Sequence, residues 1–514
     1  MAKGALDDAL LQDDDLQFDA VMEQPGRQET IRTLTKNTSK QQGPLLTPAI
    51  TSPFAHRPGA AARPSTQATQ AQQQRLRTQV ALSCAIMFAE GFYATHFFPY
   101  GPWMTETLRG DTSDLGTYTG LFYTAQSFGM LTTAYFWAGV SNRYGRRFCL
   151  LLGLCSNLTA TVLMAVSTDY WTSIALRLIS GVMNSNLSIM RTALREFFQH
   201  EDAEDTWAFS TLSVAFGASS VAGPSYGGLV YGRVLPWLPE CWQHPWSLAL
   251  LTCTALYAVS LVVTAAFMPE TAFLHRRMGA TASGRAPSKS PSLLRDKCFV
   301  LLLVMGGGHS YVFTGWEIAY PLIARLPASS WGEHWTTAAI GLTFLVGSVG
   351  LMLYSLVIYP IVAKRLSVIR LWNLSAVPPL VAMAAFPRLL RLLADGGSSA
   401  HSQGTLALNY GTQVVVSMLM GSGFISIQLL LNNYVSGLPG AKGLLALANS
   451  LLVSTQAFVR AVSPMSTGAL FTLGLQAEGG PSAALVSRAL PFDSLAVVGL
   501  ASCVLCGLAF QRRA

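Results

Sequence analysis

The chain has 514 residues, 51% hydrophobic and only 12% charged, with a formal charge of +8. A soluble globular chain of this size needs about a quarter of its residues charged to cover its surface, so a water-soluble enzyme or scaffold is excluded. The basic excess reads as a membrane-topology signal rather than a nucleic-acid surface, because the arginines collect in short turns between apolar runs.

Residues 1–74 open on Asp7, Asp8, Asp13, Asp14, Asp15 and Asp19 and continue Gln/Thr/Pro/Ala-rich. Low hydrophobicity and low complexity predict a disordered cytoplasmic tail. Within it, Asp7-Asp8-Ala9-Leu10-Leu11 has the form of an acidic dileucine sorting signal, a short pattern that often arises by chance. From Val80 onward, apolar stretches of about 20 residues recur, each long enough to cross a bilayer. They place membrane helices near 78–104, 116–139, 147–167, 170–193, 207–232 and 245–268, then 298–324, 337–363, 366–387, 406–434, 443–473 and 490–510. The expected fold is an all-α integral membrane bundle of about twelve helices in two six-helix halves, 75–268 and 298–514. Between them 269–297, Ser/Arg/Lys-rich, is expected to be a cytoplasmic linker.

The first predicted helix carries Glu90 at mid-membrane and His96 a turn and a half later. A charge there costs on the order of 2.5–3.5 kcal/mol on insertion scales and needs a reason. A carboxyl out of water can hold a proton near neutrality, and an imidazole titrates there. Glu90, His96 and Glu317 in the seventh helix are therefore candidates for proton coupling; the plainer reading is buried packing or ion pairing. In the fourth helix Arg177, Ser180, Gly181, Asn184, Ser188 and Arg191 share one helical face, which cannot point at lipid. The eleventh shows a similar stripe in Asn449, Gln456, Arg460, Ser463 and Thr467. The expected substrate cavity takes Arg177, Asn184, Ser188, His309, Gln456 and Arg460; interhelical hydrogen bonding without a cavity is the alternative, weighed equally for the eleventh helix. Asn157, Asn186 and Asn373 stand in glycosylation sequons but inside predicted helices. Cys503 and Cys506 form a C-x-x-C within the last helix, where a structural pair is expected.

The turns at one side hold Arg75, Arg77, Arg143, Arg146, Arg147, Arg191, Arg195, Arg276, Arg277, Lys364, Arg365 and Arg370, against mainly Arg109, Arg233, Arg325, Arg388, Arg391 and Arg488 on the other. By the positive-inside rule both termini are cytoplasmic.

The turn Ala138-Gly139-Val140-Ser141-Asn142-Arg143-Tyr144-Gly145-Arg146-Arg147 resembles the Gly-x-x-x-Asp-Arg-x-Gly-Arg-Arg loop of the major facilitator superfamily, with Ala138 for the first Gly and Asn142 for the Asp. Gly223-Pro224-Ser225-Tyr226-Gly227-Gly228 resembles the end of the antiporter motif of its drug:proton antiporters, and Arg177-Leu178-Ile179-Ser180-Gly181 the superfamily's Arg-x-x-Gln-Gly. Phe88-Ala89-Glu90, Arg191-Thr192-Ala193-Leu194-Arg195-Glu196 and Phe458-Val459-Arg460-Ala461-Val462-Ser463-Pro464 are similar to the zinc-induced facilitator-like branch. The resemblance implies a secondary transporter working by alternating access, with Ala138, Asn142, Arg143, Gly145, Arg146, Arg147, Arg191 and Glu196 in a cytoplasmic gate. Gly223, Pro224, Gly227 and Gly228 would form the antiporter motif. Asn142 removes a gate carboxylate, though an amide still reaches Arg146 or a helix end.

The expected function is proton-coupled antiport or export of a small organic molecule or organic anion. A facilitator without proton coupling, or a transporter-like sensor that moves nothing, are the alternatives. No cofactor is expected, and no His/Cys/Asp set has metal-ligand spacing, despite the branch name. The expected partners are a small-molecule substrate, protons and the lipid bilayer, with no nucleic acid; the chain is expected to be a monomer in a vacuolar-type or plasma membrane.

Overall fold

The computed structural model describes residues 66–111, 114–197, 202–270, 293–326, 333–395, 402–438, 441–477 and 481–512. The acidic stretch, the dileucine-like sequence and most of the expected linker lie outside the described residues. Described residues form α1 (Thr66–Thr95), α2 (Gly101–Arg109), α3 (Leu115–Tyr144), α4 (Arg146–Val166), α5 (Tyr170–Met183), α6 (Asn186–Phe197), α7 (Asp202–Val230) and α8 (Ser247–Phe267). A second set follows: α9 (Lys297–Arg325), α10 (Thr337–Leu353), α11 (Tyr359–Ala363), α12 (Val368–Asp395), α13 (Gln403–Ser436), α14 (Ala441–Gln476), α15 (Pro481–Gly499) and α16 (Cys506–Gln511). They contain no strand. With α1–α2, α5–α6, α10–α11 and α15–α16 each read as one interrupted span, the described residues make the expected twelve passes in two halves. Seven stretches, Arg146–Val166, Ser247–Phe267, Lys297–Arg325, Thr337–Ala363, Val368–Asp395, Gln403–Ser436 and Arg488–Gln511, are long and apolar enough to cross a membrane on that ground alone. Among the other five, α1, α5–α6 and α14 hold the most polar residues singled out above.

Where the helices depart from expectation, a local cause is visible. The first helix starts at Thr66, twelve residues early, on a Gln/Thr/Ala-rich turn sequence, and stops at Thr95 instead of 104. Pro99 lacks an amide hydrogen and disfavours helix in the residue before it, so 96–100 turn, and Pro102 then suits the first turn of α2. The expected 170–193 helix breaks at Asn184, whose backbone is extended (φ −102°, ψ 116°). Asn184 Oδ1 accepts from the Asn186 backbone N–H at 2.9 Å, and Ser188 Oγ donates to the Ser185 carbonyl at 3.0 Å. Short polar side chains here replace the helix's own hydrogen bonds. Wider turns of the π type at Tyr354–Ile358 and Leu500–Leu505 interrupt the eighth and twelfth spans.

The halves meet along two seams. One joins α3 to α14, where a side chain on Gly116 would overlap the Gly468 carbonyl and one on Gly120 the Pro464 carbonyl. Thr117 donates to Thr472 Oγ1 from its backbone N–H (2.9 Å) and its hydroxyl (3.1 Å), and Gln476 Nε2 donates to Asp114 Oδ1 at 2.9 Å. The other joins α7 to α10, where Thr337 Oγ1 donates to the Gly228 carbonyl at 3.1 Å. Glu106 of α2 pairs with Arg325, and Phe98 meets Phe344 with ring centroids 6.3 Å apart. All these contacts lie toward the end of the bundle that carries α2, opposite the basic turn at Arg146.

Candidate functional site

Glu90 sits in α1 with a ring of amides around its carboxylate. Asn157 Nδ2 of α4 and Asn186 Nδ2 of α6 donate to Oε1 at 3.1 and 2.7 Å, and Asn184 Nδ2 donates to Oε2 at 2.8 Å. Two residues apart on a continuous helix, Asn184 and Asn186 would point to different sides. The break between α5 and α6 is what lets both reach one carboxylate. Glu90 is buried, and among the described residues no cation lies within ion-pair distance of it. The Oδ1 atoms of Asn157 and Asn186 have no hydrogen-bond partner. Turning either amide over would present an acceptor to a protonated carboxyl, so the ring has an arrangement for each protonation state.

The basic turn is a second polar centre. Arg146 donates from Nη1 to Asn142 Oδ1 at 2.7 Å and to Ser141 Oγ at 3.2 Å, and from Nη2 to Glu196 Oε1 at 2.7 Å. Asn142 therefore keeps its bond to Arg146 as an amide. Glu270 caps the start of α4, accepting from the backbone N–H of Arg146 at 2.7 Å and of Arg147 at 3.1 Å. An anion there faces the positive end of the helix dipole. Gly145 (φ +110°) lets the chain turn between α3 and α4, and a side chain on it would strike the Glu270 carboxylate. Arg143 rests 5.4 Å from the Tyr144 ring, while Ala138 and Arg191 are not hydrogen-bonded into this cluster among the described residues.

The remaining expected cavity residues have varied surroundings. Arg177 is buried against the rings of Phe97 (4.3 Å), Phe122 (4.5 Å) and Tyr93 (5.6 Å), with Nη2 donating to Gln126 Oε1 at 3.3 Å. Ser188 is bonded to Ser185, one turn beyond the break. The polar face of the fourth span is thus turned largely into the first half, because the break spends Asn184 on Glu90 and Arg177 packs among aromatics. His96 holds its Nδ1 against the Phe92 and Tyr93 carbonyls (3.2 and 2.9 Å) and its ring 3.8 Å from Phe97. His309 donates through Nε2 to the Met420 carbonyl at 2.7 Å, between Trp372 and Phe424. Both imidazoles are fully buried packing groups in this conformation. In the second half, Arg460 lies over Phe424 (5.3 Å), Gln456 flanks Gly306, and Glu317 is half-buried within electrostatic reach of Arg460 and of Tyr123 across the seam. Gly223 and Gly227 bring α7 against Thr95 at the end of α1 and His96 just after it, and Gly228, four residues after Pro224, brings α7 against α10. No group of three or more His, Cys, Asp or Glu able to hold a metal is found among the described residues.

Several polar residues carry weight that sequence reasoning passed over: Asn157 and Asn186, set aside as sequons; Glu270, within the expected linker; and Glu333 with Asn409. The signal was available for the first pair, since an amide inside a membrane helix needs a partner as a charge does. Glu270 and Glu333 lie in connections, where a lone acid has no periodicity to mark it.

The profile of the Major Facilitator Superfamily matches residues 82–464. A "probable peptide/nitrate transporter" of Arabidopsis thaliana is 24% identical over 405 residues, 73% of this chain and 79% of that protein. Zinc induced facilitator 1 of Arabidopsis thaliana is 23% identical over 386 residues, 70% and 76% of the two chains. Among solved structures, a D-xylose-proton symporter superposes with a TM-score of 0.63 at 12% identity, covering 84% of this chain and 96% of that one.

Proposed function

The chain belongs to the major facilitator superfamily, a family of multi-pass transporters of small molecules, and from that membership we propose that it is a secondary active transporter exporting a small organic molecule or organic anion in exchange for protons. The observation that carries the coupling is Glu90: a mid-membrane carboxylate held by three asparagine side chains and no cation among the described residues. A structural acid is ordinarily paired with a base when buried. A carboxyl surrounded by amides, two of them able to turn over and accept, can exist with or without its proton. Glu317, facing the other half, is the second proton carrier of this reading. Arg460, Gln456 and Arg177 contribute the polar and cationic surface for substrate.

The basic turn is assigned to the cytoplasm by charge bias, with 75–268 and 298–514 as the moving halves and 269–297 the cytoplasmic linker. The contacts at the opposite end then make this a conformation sealed toward the lumen or exterior. Arg146, Asn142, Glu196 and Glu270 are the cytoplasmic gate, and the monomer is the working unit, in a vacuolar-type or plasma membrane.

The test is flux of organic anions and cationic drugs into reconstituted vesicles under an imposed pH gradient, wild type beside Glu90→Gln. Gradient-driven flux that the substitution abolishes supports antiport. Flux indifferent to both gradient and substitution refutes it and leaves a facilitator in which Glu90 is structural.

A further inference from the structure

Glu333 precedes α10 at the sealed end of the second half, in a connection that would ordinarily keep an acid in water. It is instead 1% exposed. Its Oε1 accepts a hydrogen bond from Asn409 Nδ2 of α13, and its Oε2, also buried, has no partner. Asn409 is fixed from three sides: Nδ2 also donates to the Thr405 carbonyl at 2.9 Å, and Oδ1 accepts from the Tyr320 hydroxyl at 3.0 Å, which also reaches Thr343 Oγ1 at 3.0 Å. The acid thus ties the α9–α10 connection to α9, α10 and α13 at one point. Thr336 caps α10 three residues on, and Thr337 bonds Gly228 across the seam.

No base answers this carboxyl among the described residues. The titratable groups on the elements around it are Tyr320 of α9 and Tyr410 of α13, the latter against Trp335. Arg325, at the end of α9, is turned to Glu106, and Asp395, at the end of α12, is paired with Arg391. His334, next in sequence, is exposed. A buried anion with one oxygen unpartnered is strongly disfavoured, whereas the neutral acid keeps the Asn409 bond and leaves only its own O–H without a partner.

We propose that Glu333 is a proton-binding site of the transport cycle, loaded from the aqueous phase at the sealed end, whose neutral carboxyl seats against Asn409 when the halves close there and whose carboxylate does not. The step is one proton taken up from water by the carboxylate on closure and returned to water on opening, with no other bond changed. Burial pushes the Glu333 carboxyl up to about 8, against the downward pull of the Asn409 hydrogen bond, which agrees with a neutral acid in this conformation near neutral pH. The inference rests on the proton-coupled reading above for its role in transport, but the proton site itself is measurable without any substrate.

The experiment is a pH titration of the purified full chain in lipid nanodiscs, with two readouts. Infrared difference spectroscopy follows the protonated-carboxyl stretch, and pulsed electron spin resonance follows the distance between labels at Trp171→Cys and Leu473→Cys. Both label sites are exposed and lie near the sealed end of opposite halves. The expected result is a carboxyl band lost with a midpoint near 8 and missing in Glu333→Gln. Alongside it, the ratio of closed to open distances should fall by up to about tenfold per pH step from about 4.5 up to that midpoint in the parent, level off above it, and stay level throughout in Glu333→Gln. Asn409→Leu, which leaves the acid in place, should move the midpoint rather than delete the band. An unchanged band in Glu333→Gln, or a distance ratio with the same pH response in both proteins, overturns the proposal. If the titration behaves as expected while vesicle flux ignores the pH gradient, the antiport reading fails and the proton site stands.

Discussion

The seam between α3 and α14 offers a direct test of what closes this end of the bundle. Gly116→Ala places a methyl group where the Gly468 carbonyl already lies, with Thr472 Oγ1 at 3.0 Å and Phe471 Cδ1 at 3.1 Å closing the other sides. The nearest obstacle is backbone, so the helices must part. Overpacking of this kind costs about 1–3 kcal/mol. Parting also strains the two hydrogen bonds from Thr117 to Thr472, each worth about 1 kcal/mol net. A total of about 2–4 kcal/mol lowers the closed-to-open ratio by roughly 30- to 700-fold, at 1.4 kcal/mol per tenfold. The same Trp171→Cys and Leu473→Cys label pair should move from a short to a longer distance distribution in Gly116→Ala. Gly411→Ala is the control, because a side chain there meets nothing within 4 Å. A Gly116→Ala protein that is folded and keeps the parent distance distribution would refute the claim that close backbone approach sets this seal.

Three further outcomes follow from the polar clusters. Asn142→Asp converts the 2.7 Å amide bond to Arg146 into an ion pair beside Glu196, and the thermal midpoint in detergent should rise, consistent with the greater strength of hydrogen bonds between charged groups. Glu270→Ala leaves the Arg146 and Arg147 amides without their cap, at a cost of about 1–2 kcal/mol, so hydrogen exchange at the start of α4 should quicken while the middle of α4 is unchanged. For Glu333, the seated form has its carboxyl raised to about 8 from an ordinary 4.5, so the seated form binds the extra proton between those values. Its advantage is therefore complete below about 4.5 and is lost as pH rises to about 8, at up to about 1.4 kcal/mol per pH step. Limited proteolysis of the α9–α10 connection should accordingly accelerate from mildly acidic to alkaline buffer in the parent, and much less in Glu333→Gln.

Much of the architecture was legible because the bilayer imposes one strong rule, that a spanning segment be apolar for about 20 residues. The α4 and α8 ranges were read within two residues at each end. Interruptions were less legible. The break at Asn184 is visible only through its consequence, since Ser and Asn inside a membrane helix look like an ordinary polar stripe until their bonds to Glu90 and to each other are known. With the break at Asn184 the residues from Arg177 to Arg191 no longer share one face, as they would on a continuous helix. The aromatic packing of Arg177 and His96 was equally hidden, because Phe97, in the turn after α1, and Phe122, on α3, are far apart in sequence and no local pattern joins them.

The two intramembrane acids occupy corresponding first helices of the two halves, yet their surroundings differ in kind. Glu90 is satisfied wholly within the first half, by α4 and α6, so a change in its protonation acts first on how α1 sits against those helices. Glu317 lies within electrostatic reach of Arg460 of its own half and of Tyr123 of the other. Tyr123 in turn donates to the Phe97 carbonyl at 2.6 Å, at the end of α1 and beside the residues that pack on Arg177. A charge appearing at Glu317 is therefore felt at the seam, whereas a charge appearing at Glu90 is absorbed by its asparagines. On this arrangement Glu317→Gln should alter the balance between closed and open distances directly. Glu90→Gln should leave that balance near the parent value and remove its dependence on pH only where α1 moves. Equal shifts in the label distances for the two substitutions would contradict this division of labour.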